Sequence, residues 1–327
     1  MMKPIASLSL DLDNQWSYMK IHGDSGWESF PSYFETVVPR FLEVLNKKNL
    51  TLSVFVVGQD AAIETNHKWL KSIADAGHEI ANHSFHHDPW LHLYTEQQID
   101  EELASAEQAI ENATGFKPVG FRGPGFSLSE STLRVLLSRG YRYDASTFPT
   151  FLGPLARAYY FMTTKLSKQE KEKRKMLFGS VSEGFRPIKG YYWKMEAKKR
   201  LLEIPVTTIP IIKSPFHFSY LLYLCRFSPA LAKLYFSIGL RMCLITGVQP
   251  SILLHPLDFL NENDVPVLGF FPGMNVDIET KLGWVNGFLD ILGDKFSIKS
   301  MAGHAEFLEN SKLLKEVIPN FPQPESS

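Results

Sequence analysis

The sequence predicts an α/β fold, a distorted (β/α) barrel of about seven parallel strands with a large insertion after the fifth. Three observations lead there. Over the first 145 residues, short apolar strands alternate with amphipathic helical stretches; Gly58, Gly77, Gly115 and Gly140 punctuate the element ends; and strand-like segments return after an irregular stretch. With 327 residues, 44% of them hydrophobic, the chain can fill a barrel of roughly 250 residues and still carry an insertion. No internal repeat or low-complexity linker divides it, so one domain over residues 1–327 is expected.

Taken in order, residues 5–11 (IASLSLD), 51–57, 78–83, 119–122 and 141–144 read as strands. Residues 32–48, 60–76, 95–114 and 129–139 read as the intervening helices, the third opening on a Thr95 cap with Glu96 close behind. After Asp144 the regularity fails. Residues 145–247 hold an aromatic and basic insertion, including the charge run from Lys165 to Lys175 and the segment GYYWKM. Within and after it, residues 202–212, 250–255 and 295–300 read as strands, with an apolar helical block at 216–244.

Composition narrows the function. Lys plus Arg total 34 against 35 for Asp plus Glu, a net charge of -1 that does not suit a nucleic-acid-coating protein. Cys225 and Cys243 sit in apolar surroundings and are expected as free core thiols. The opening residues MMKPIASLSLDLD lack the pattern of a signal peptide, which leads to the expectation of a cytoplasmic protein. Arg226, Lys233 and Arg241 interrupt the most apolar stretch, so no spanning helix is expected.

Chemistry concentrates at predicted strand ends. Asp11 and Asp13 close the first strand on one face, and two carboxylates there are costly to desolvate unless a cation holds them. In NHSFHH, His83 and His87 stand four apart, a spacing that on a helical turn aims both imidazoles at one point. Two histidines and one carboxylate form a known zinc set, which leaves the other aspartate free to act as a base. Arg122, Asp144 and His255 fall at the ends of later strands, on the rim where barrel active sites are built.

These residues, in this order, resemble the polysaccharide deacetylases of the NodB-homology type, carbohydrate esterase family four. The matching strings are Asp11-Leu12-Asp13, His83-Ser84-Phe85-His86-His87, Arg122-Gly123-Pro124-Gly125-Phe126, Asp144-Ala145-Ser146 and Leu253-Leu254-His255, across about three quarters of the chain. The resemblance implies a divalent metal, with zinc expected, held by Asp13, His83 and His87, and Asp11 as the base. It further implies the Gly125 N–H as an oxyanion donor and His255 as the acid that protonates the departing amine. Arg122 would orient Asp11, Asp144 would orient His255, and Leu253 would shape a small pocket for an acetyl methyl. Phe126 and Trp16 are candidate substrate contacts; for Trp16, Trp27 and Trp90, core packing is the favoured role over stacking on sugar rings.

The implied activity is hydrolysis of an N-acetyl group from an amino sugar, in a polysaccharide or its lipid-linked precursor. Deformylation of a lipid-linked formamido sugar is the alternative within the class, and a metal-free carbohydrate-binding pseudoenzyme the alternative outside it. The absence of a Gly-rich P-loop disfavours a phosphate-binding enzyme. Finally, Ala145–Gln169 and Ile204–Leu257 contain no acidic residue, yet interleave aromatics and leucines with Arg157, Lys165, Lys168, Lys213, Arg226, Lys233 and Arg241. That mixture suits peripheral contact with the inner face of a membrane, against the competing reading of a buried helical insertion.

Overall fold

The computed structural model describes residues 3–153, 181–196, 199–311 and 314–321. Arg157, Lys165, Lys168 and the rest of the charge run to Lys175 lie outside the described residues. In chain order the strands are β1 (Ile5–Asp11), β2 (Ser53–Val56), β3 (Glu79–Asn82), β4 (Gly120–Phe121), β5 (Tyr143–Asp144), β6 (Tyr191–Lys194), β7 (Arg200–Glu203), β8 (Ser251–Leu254), β9 (Ser297–Lys299) and β10 (Glu316–Val317). They form one sheet in the order β10-β6-β7-β5-β4-β3-β2-β1-β8, with β9 also beside β1. All pairings are parallel except the β6–β7 hairpin.

The predicted barrel is present, and its closure is slight. Past β7 the chain stays extended, Ile204 N–H donating to Asp144 O and Thr207 N–H to Ser251 O at 2.9 and 3.0 Å. Ser251 N–H in turn donates to Thr207 Oγ1 at 2.8 Å, so β8 meets the continuation of β7 and the seven strands β1–β5, β7 and β8 form a ring. The strand expected over 202–212 is regular only through Glu203. Pro205 and Pro210 lack the amide hydrogens that a ladder needs, so the remainder makes isolated contacts.

The helices are α1 (Gln15–His22), α2 (Phe34–Asn46), α3 (Gly58–Ala61), α4 (Glu64–Asp75), α5 (Glu96–Thr114), α6 (Glu130–Arg139), α7 (Phe218–Cys225), α8 (Pro229–Thr246), α9 (Ile278–Lys295) and α10 (Met301–Glu309). The Thr95 cap is a full capping box with Gln98 at its third position, and the predicted apolar block resolves into α7 and α8, broken at Ser228-Pro229. Among the described helices α8 is long and apolar enough to cross a membrane by length and composition alone, which corrects the expectation that Arg226, Lys233 and Arg241 leave no such stretch; Arg226 precedes the helix. Cys225 and Cys243 are buried free thiols, and burial pushes them up to about 11 and about 12.

Strand alternation divides the core in two. Leu8, Leu10, Val54, Val56, Ile252 and Leu254 face outward against the helices. Phe55, Ala81, Tyr143, Leu202 and Ile204 face the lumen, above Met301, Ala305 and Leu308 of α10, which seals the N-terminal end of the barrel. Ser7 Oγ meets His304 Nδ1 at 2.8 Å, fixing that plug to β1. The opposite, C-terminal end carries the site.

Candidate metal centre and active site

Asp13 lies just beyond β1, where the chain must turn away from the barrel. Asn14 organises the turn: its Oδ1 accepts from Gln15 N at 2.9 Å to cap α1, and its Nδ2 donates to Asp60 Oδ1 at 2.7 Å. Trp16 Nε1 donates to the same oxygen at 2.9 Å, and Tyr33 Oη donates to the Asp13 carbonyl. Asp60, at the start of the second βα unit, is wholly buried and held up to about 7, chiefly by desolvation. Trp16 is thereby buried, with its ring edge-on to His87 at 6.5 Å; it packs beneath the centre, the favoured of its two expected roles.

His83 follows β3 directly, but His83 and His87 do not share a helical turn. Ser84 and His87 have φ of 61° and 54°, so the segment is a loop that doubles back, and it is this reversal that converges the two imidazoles. Glu102 of α5 fixes the loop by accepting from the N–H groups of Phe85 and His86 at 3.0 and 3.1 Å. Gly58 makes room from the other side: a Cβ there would stand 2.6 Å from the Phe85 ring and 2.7 Å from Ala106 Cα.

The result is a compact donor set. Asp13 Oδ1 lies 3.4 Å from His83 Nε2 and 2.9 Å from His87 Nε2, and ligand atoms of all three residues fall within 4.8 Å of one another. His83 Nδ1 is 2.6 Å from the Arg122 carbonyl, which can only accept, so Nδ1 carries the proton and Nε2 presents its lone pair. Asp13 Oδ1 and His87 Nε2 are buried and close, yet not angled as a hydrogen bond. Orphaned acceptors converging on one point are what a divalent cation satisfies, so the residues fit one. Desolvation would raise the Asp13 carboxyl, but the charge of His87 and contacts from both histidines hold it well below the usual carboxylate range. His83 is raised despite its burial, by the charge of Asp11 and then by Asp13.

Asp11 faces the lumen two residues before Asp13, and Arg122 Nη1 donates to its Oδ1 at 2.5 Å. The guanidinium is fully buried, also donating to Ser9 Oγ and the Ala145 carbonyl at 3.0 Å each, and lies 4.2 Å from the centre of the Phe55 ring. Gly125, exposed on the turn after β4, has φ +59°, a conformation suited to glycine. Phe126 beside it stacks on Phe148 at 4.9 Å.

His255 extends the lumen-facing series Ser251, Leu253, of which Leu253 is fully buried. Its orienting partner is not Asp144. His255 Nδ1 lies 3.1 Å from Ser219 Oγ at the start of α7, and Ser219 Oγ donates to Asp258 Oδ1 at 2.9 Å; Asp258 Oδ2 also accepts from His255 N at 2.8 Å. Asp144 follows the lumen-facing Tyr143 and so points outward, where Ser146 Oγ donates to it at 2.5 Å and Glu203 lies alongside. Burial first and the Glu203 charge second raise its carboxyl well above the usual range. Sequence reasoning also missed His217, whose buried ring centre is 6.0 Å from that of His255 and which burial keeps neutral. The His255-x-x-Asp258 spacing was a usable signal; nothing local marks Ser219 or His217.

Comparison with known proteins meets this geometry. The family model for polysaccharide deacetylase matches residues 21–143, a span containing His83, His87 and Arg122. Over that span the chain is similar to the polysaccharide deacetylase family. A peptidoglycan deacetylase of Helicobacter pylori is 35% identical over 112 residues, covering 34% of this chain and 37% of that protein. A peptidoglycan-N-acetylmuramic acid deacetylase of Bacillus subtilis is 33% identical over 120 residues, covering 36% and 42%. The chain thus matches about two fifths of the length of these deacetylases. A crystal structure from Mycobacterium smegmatis, provisionally named a polysaccharide deacetylase, superposes over 100% of both chains with a TM-score of 0.60 at 19% identity, which establishes the shared fold.

Proposed function

We propose that this protein is a polysaccharide deacetylase, a metal-dependent hydrolase that removes an N-acetyl group from an amino sugar. The observation that carries the reading is the juxtaposition of the Asp13, His83 and His87 donor set with Asp11, a separate carboxylate clamped by a buried arginine. A divalent cation held by those three residues, with zinc expected from the nitrogen-rich set, would polarise the acyl carbonyl and acidify a water molecule.

The remaining steps belong to the chain. Asp11 takes the proton from the attacking water, and its bond to Arg122 keeps one oxygen fixed while the other faces the reaction. The Gly125 N–H, on a turn whose left-handed backbone sets its direction, donates to the developing oxyanion. His255 delivers a proton to the amine nitrogen as the C–N bond breaks, since an amine anion is too poor a leaving group to depart unassisted. Ser219 and Asp258 hold the imidazole for that transfer. Leu253 lines the lumen where the acyl methyl would lodge.

The test is incubation of the zinc-loaded chain with N-acetylated amino-sugar oligomers and peptidoglycan fragments, with acetate and formate measured separately. Acetate release that stops on chelation and returns with metal is expected. Formate release from a formamido sugar alone would replace the acyl group in the reading, and a wild-type chain that takes up no divalent metal would overturn it.

A further inference from the structure

Helices α7 and α8, with the turn before them, carry a face that the barrel does not use. Their inner residues pack into the outer core: the Phe236 ring lies 6.4 Å from Phe218 and 5.4 Å from Phe288 of α9. Outward, Phe227, Leu231 and Ile245 are 74%, 66% and 78% exposed, with Leu234 and Ile238 also open between them. Arg226, Lys233 and Arg241 are exposed among these apolar side chains, and no Asp or Glu occurs between Glu203 and Asp258. Lys295 of α9 shares a shallow groove with Arg241. Of the acids on α9, Asp290 is engaged by Lys48.

The turn adds a second observation. Ile211 is 79% exposed with φ +74°, and Ile212 beside it is 59% exposed. A β-branched residue is strained in that left-handed region, where Gly or Asn would serve the backbone better. Neither turn geometry nor core packing accounts for isoleucine there.

We propose that this face docks on an anionic phospholipid bilayer, with the apolar side chains entering the acyl boundary and Arg226, Lys233 and Arg241 meeting lipid phosphates. Charge complementarity selects this occupant. A second copy related by a two-fold axis would set the face against itself, bringing cation against cation with no acid on α7 or α8 to answer. A membrane span would require α8 to withdraw Ala232, Phe236, Leu240 and Cys243 from the core. The face also borders the site: Tyr220, at its edge, packs on His217 at 4.6 Å, and His217 neighbours His255. On the hydrolase reading, on which this clause alone rests, an amino sugar anchored in lipid reaches the mouth without leaving the bilayer surface.

Flotation of the full chain with vesicles of phosphatidylglycerol and phosphatidylcholine tests the proposal. Binding at low salt that weakens with added salt, and falls on vesicles of phosphatidylcholine alone, is expected. Combined Arg226→Gln, Lys233→Gln and Arg241→Gln should cost on the order of a hundredfold in vesicle affinity, at about fivefold per cation. Combined Phe227→Ser, Leu231→Ser and Ile245→Ser should abolish flotation while thermal unfolding and metal content hold. Failure of the wild type to float, unaltered flotation of either variant, retention through alkaline carbonate extraction, or a dimer that the serine variant dissolves would each overturn it. Hydrolysis of a soluble oligosaccharide keeps the two readings apart: loss of docking with that activity intact supports the proposal, whereas a wild type that floats without hydrolysing anything removes only the enzymatic reading.

Discussion

The two halves of the barrel rim place their functional groups by different means. On the rim of β1 to β4, Asp11, Asp13, His83 and Arg122 each sit at or just past a strand end; of the residues that support them, Asn14 and Glu102 each come from the βα unit of the residue they support and Asp60 from the adjoining one. On the rim of β8, His255 depends on Ser219, 36 residues earlier on α7, as well as on the nearby Asp258, and among the described residues the ring closes through Thr207 and Ser251. A repeating βα unit sets side-chain position by strand register, which a short sequence pattern encodes. Where prolines and an insertion interrupt the register, position is set by tertiary contact instead. The match to the family model, over residues 21–143, takes in His83 and Arg122 of the first rim and nothing of the second.

That contrast orders the expected effects of mutation. The largest belongs to the first half: His87→Ala leaves two ligands, and elemental analysis should find the metal lost along with all measurable turnover. Asp13→Asn should lose metal as well. Asp11→Asn should keep it while hydrolysis falls by ~10²–10⁴-fold, the usual contribution of a general base; equal metal loss in both aspartate variants would erase the distinction between ligand and base.

Smaller effects probe the second half. Ser219→Ala removes one orienting contact and should slow amide hydrolysis by about tenfold, the worth of a single hydrogen bond, with metal content unchanged. Asp144→Asn, outside the lumen, should change turnover less than Ser219→Ala does. The reverse ranking would restore Asp144 as the partner of His255. Smallest is a stability effect at Asp60. Its carboxyl is near 3.8 in the unfolded chain and about 7 in the folded one, so the native state holds the proton more tightly. Its contribution is present below pH 4 and is lost as pH rises toward 7. Asp60→Asn should therefore match wild type near pH 4 and melt a few degrees higher at pH 8; a gap that widens toward acid would contradict the assignment.

Much of this was legible in the sequence where local rules apply without competition. β1 has the predicted bounds, Ile5–Asp11, and the helices expected over 95–114 and 129–139 start and stop at their caps and glycines, whereas the one expected over 60–76 is divided into α3 and α4 and α1 went unread. The His83 and His87 pairing was legible while its backbone was not, because four-residue spacing suits both a helical turn and a loop reversed by two left-handed residues. Asp144 was misplaced because motif order says nothing of parity: with Tyr143 held inward by its hydrogen bond to Glu79, the next side chain must point out. α9 and α10 went unread, the first because Gly283 and Gly287 lower its intrinsic helix preference.

The seal at the base of the barrel has a consequence for how the chain folds. β1 exchanges hydrogen bonds with β2, β8 and β9, and α10 is pinned to it through Ser7 and His304, a separation of 297 residues. β1 is made before every other strand of this barrel and is among the last to be satisfied: until residue 251 appears, one of its edges has no partner. High contact order of this kind slows folding, because a long loop must close before the contact repays it. During that interval a seven-residue apolar strand offers free N–H and C=O groups to any other chain, so nascent or refolding protein should aggregate in proportion to concentration.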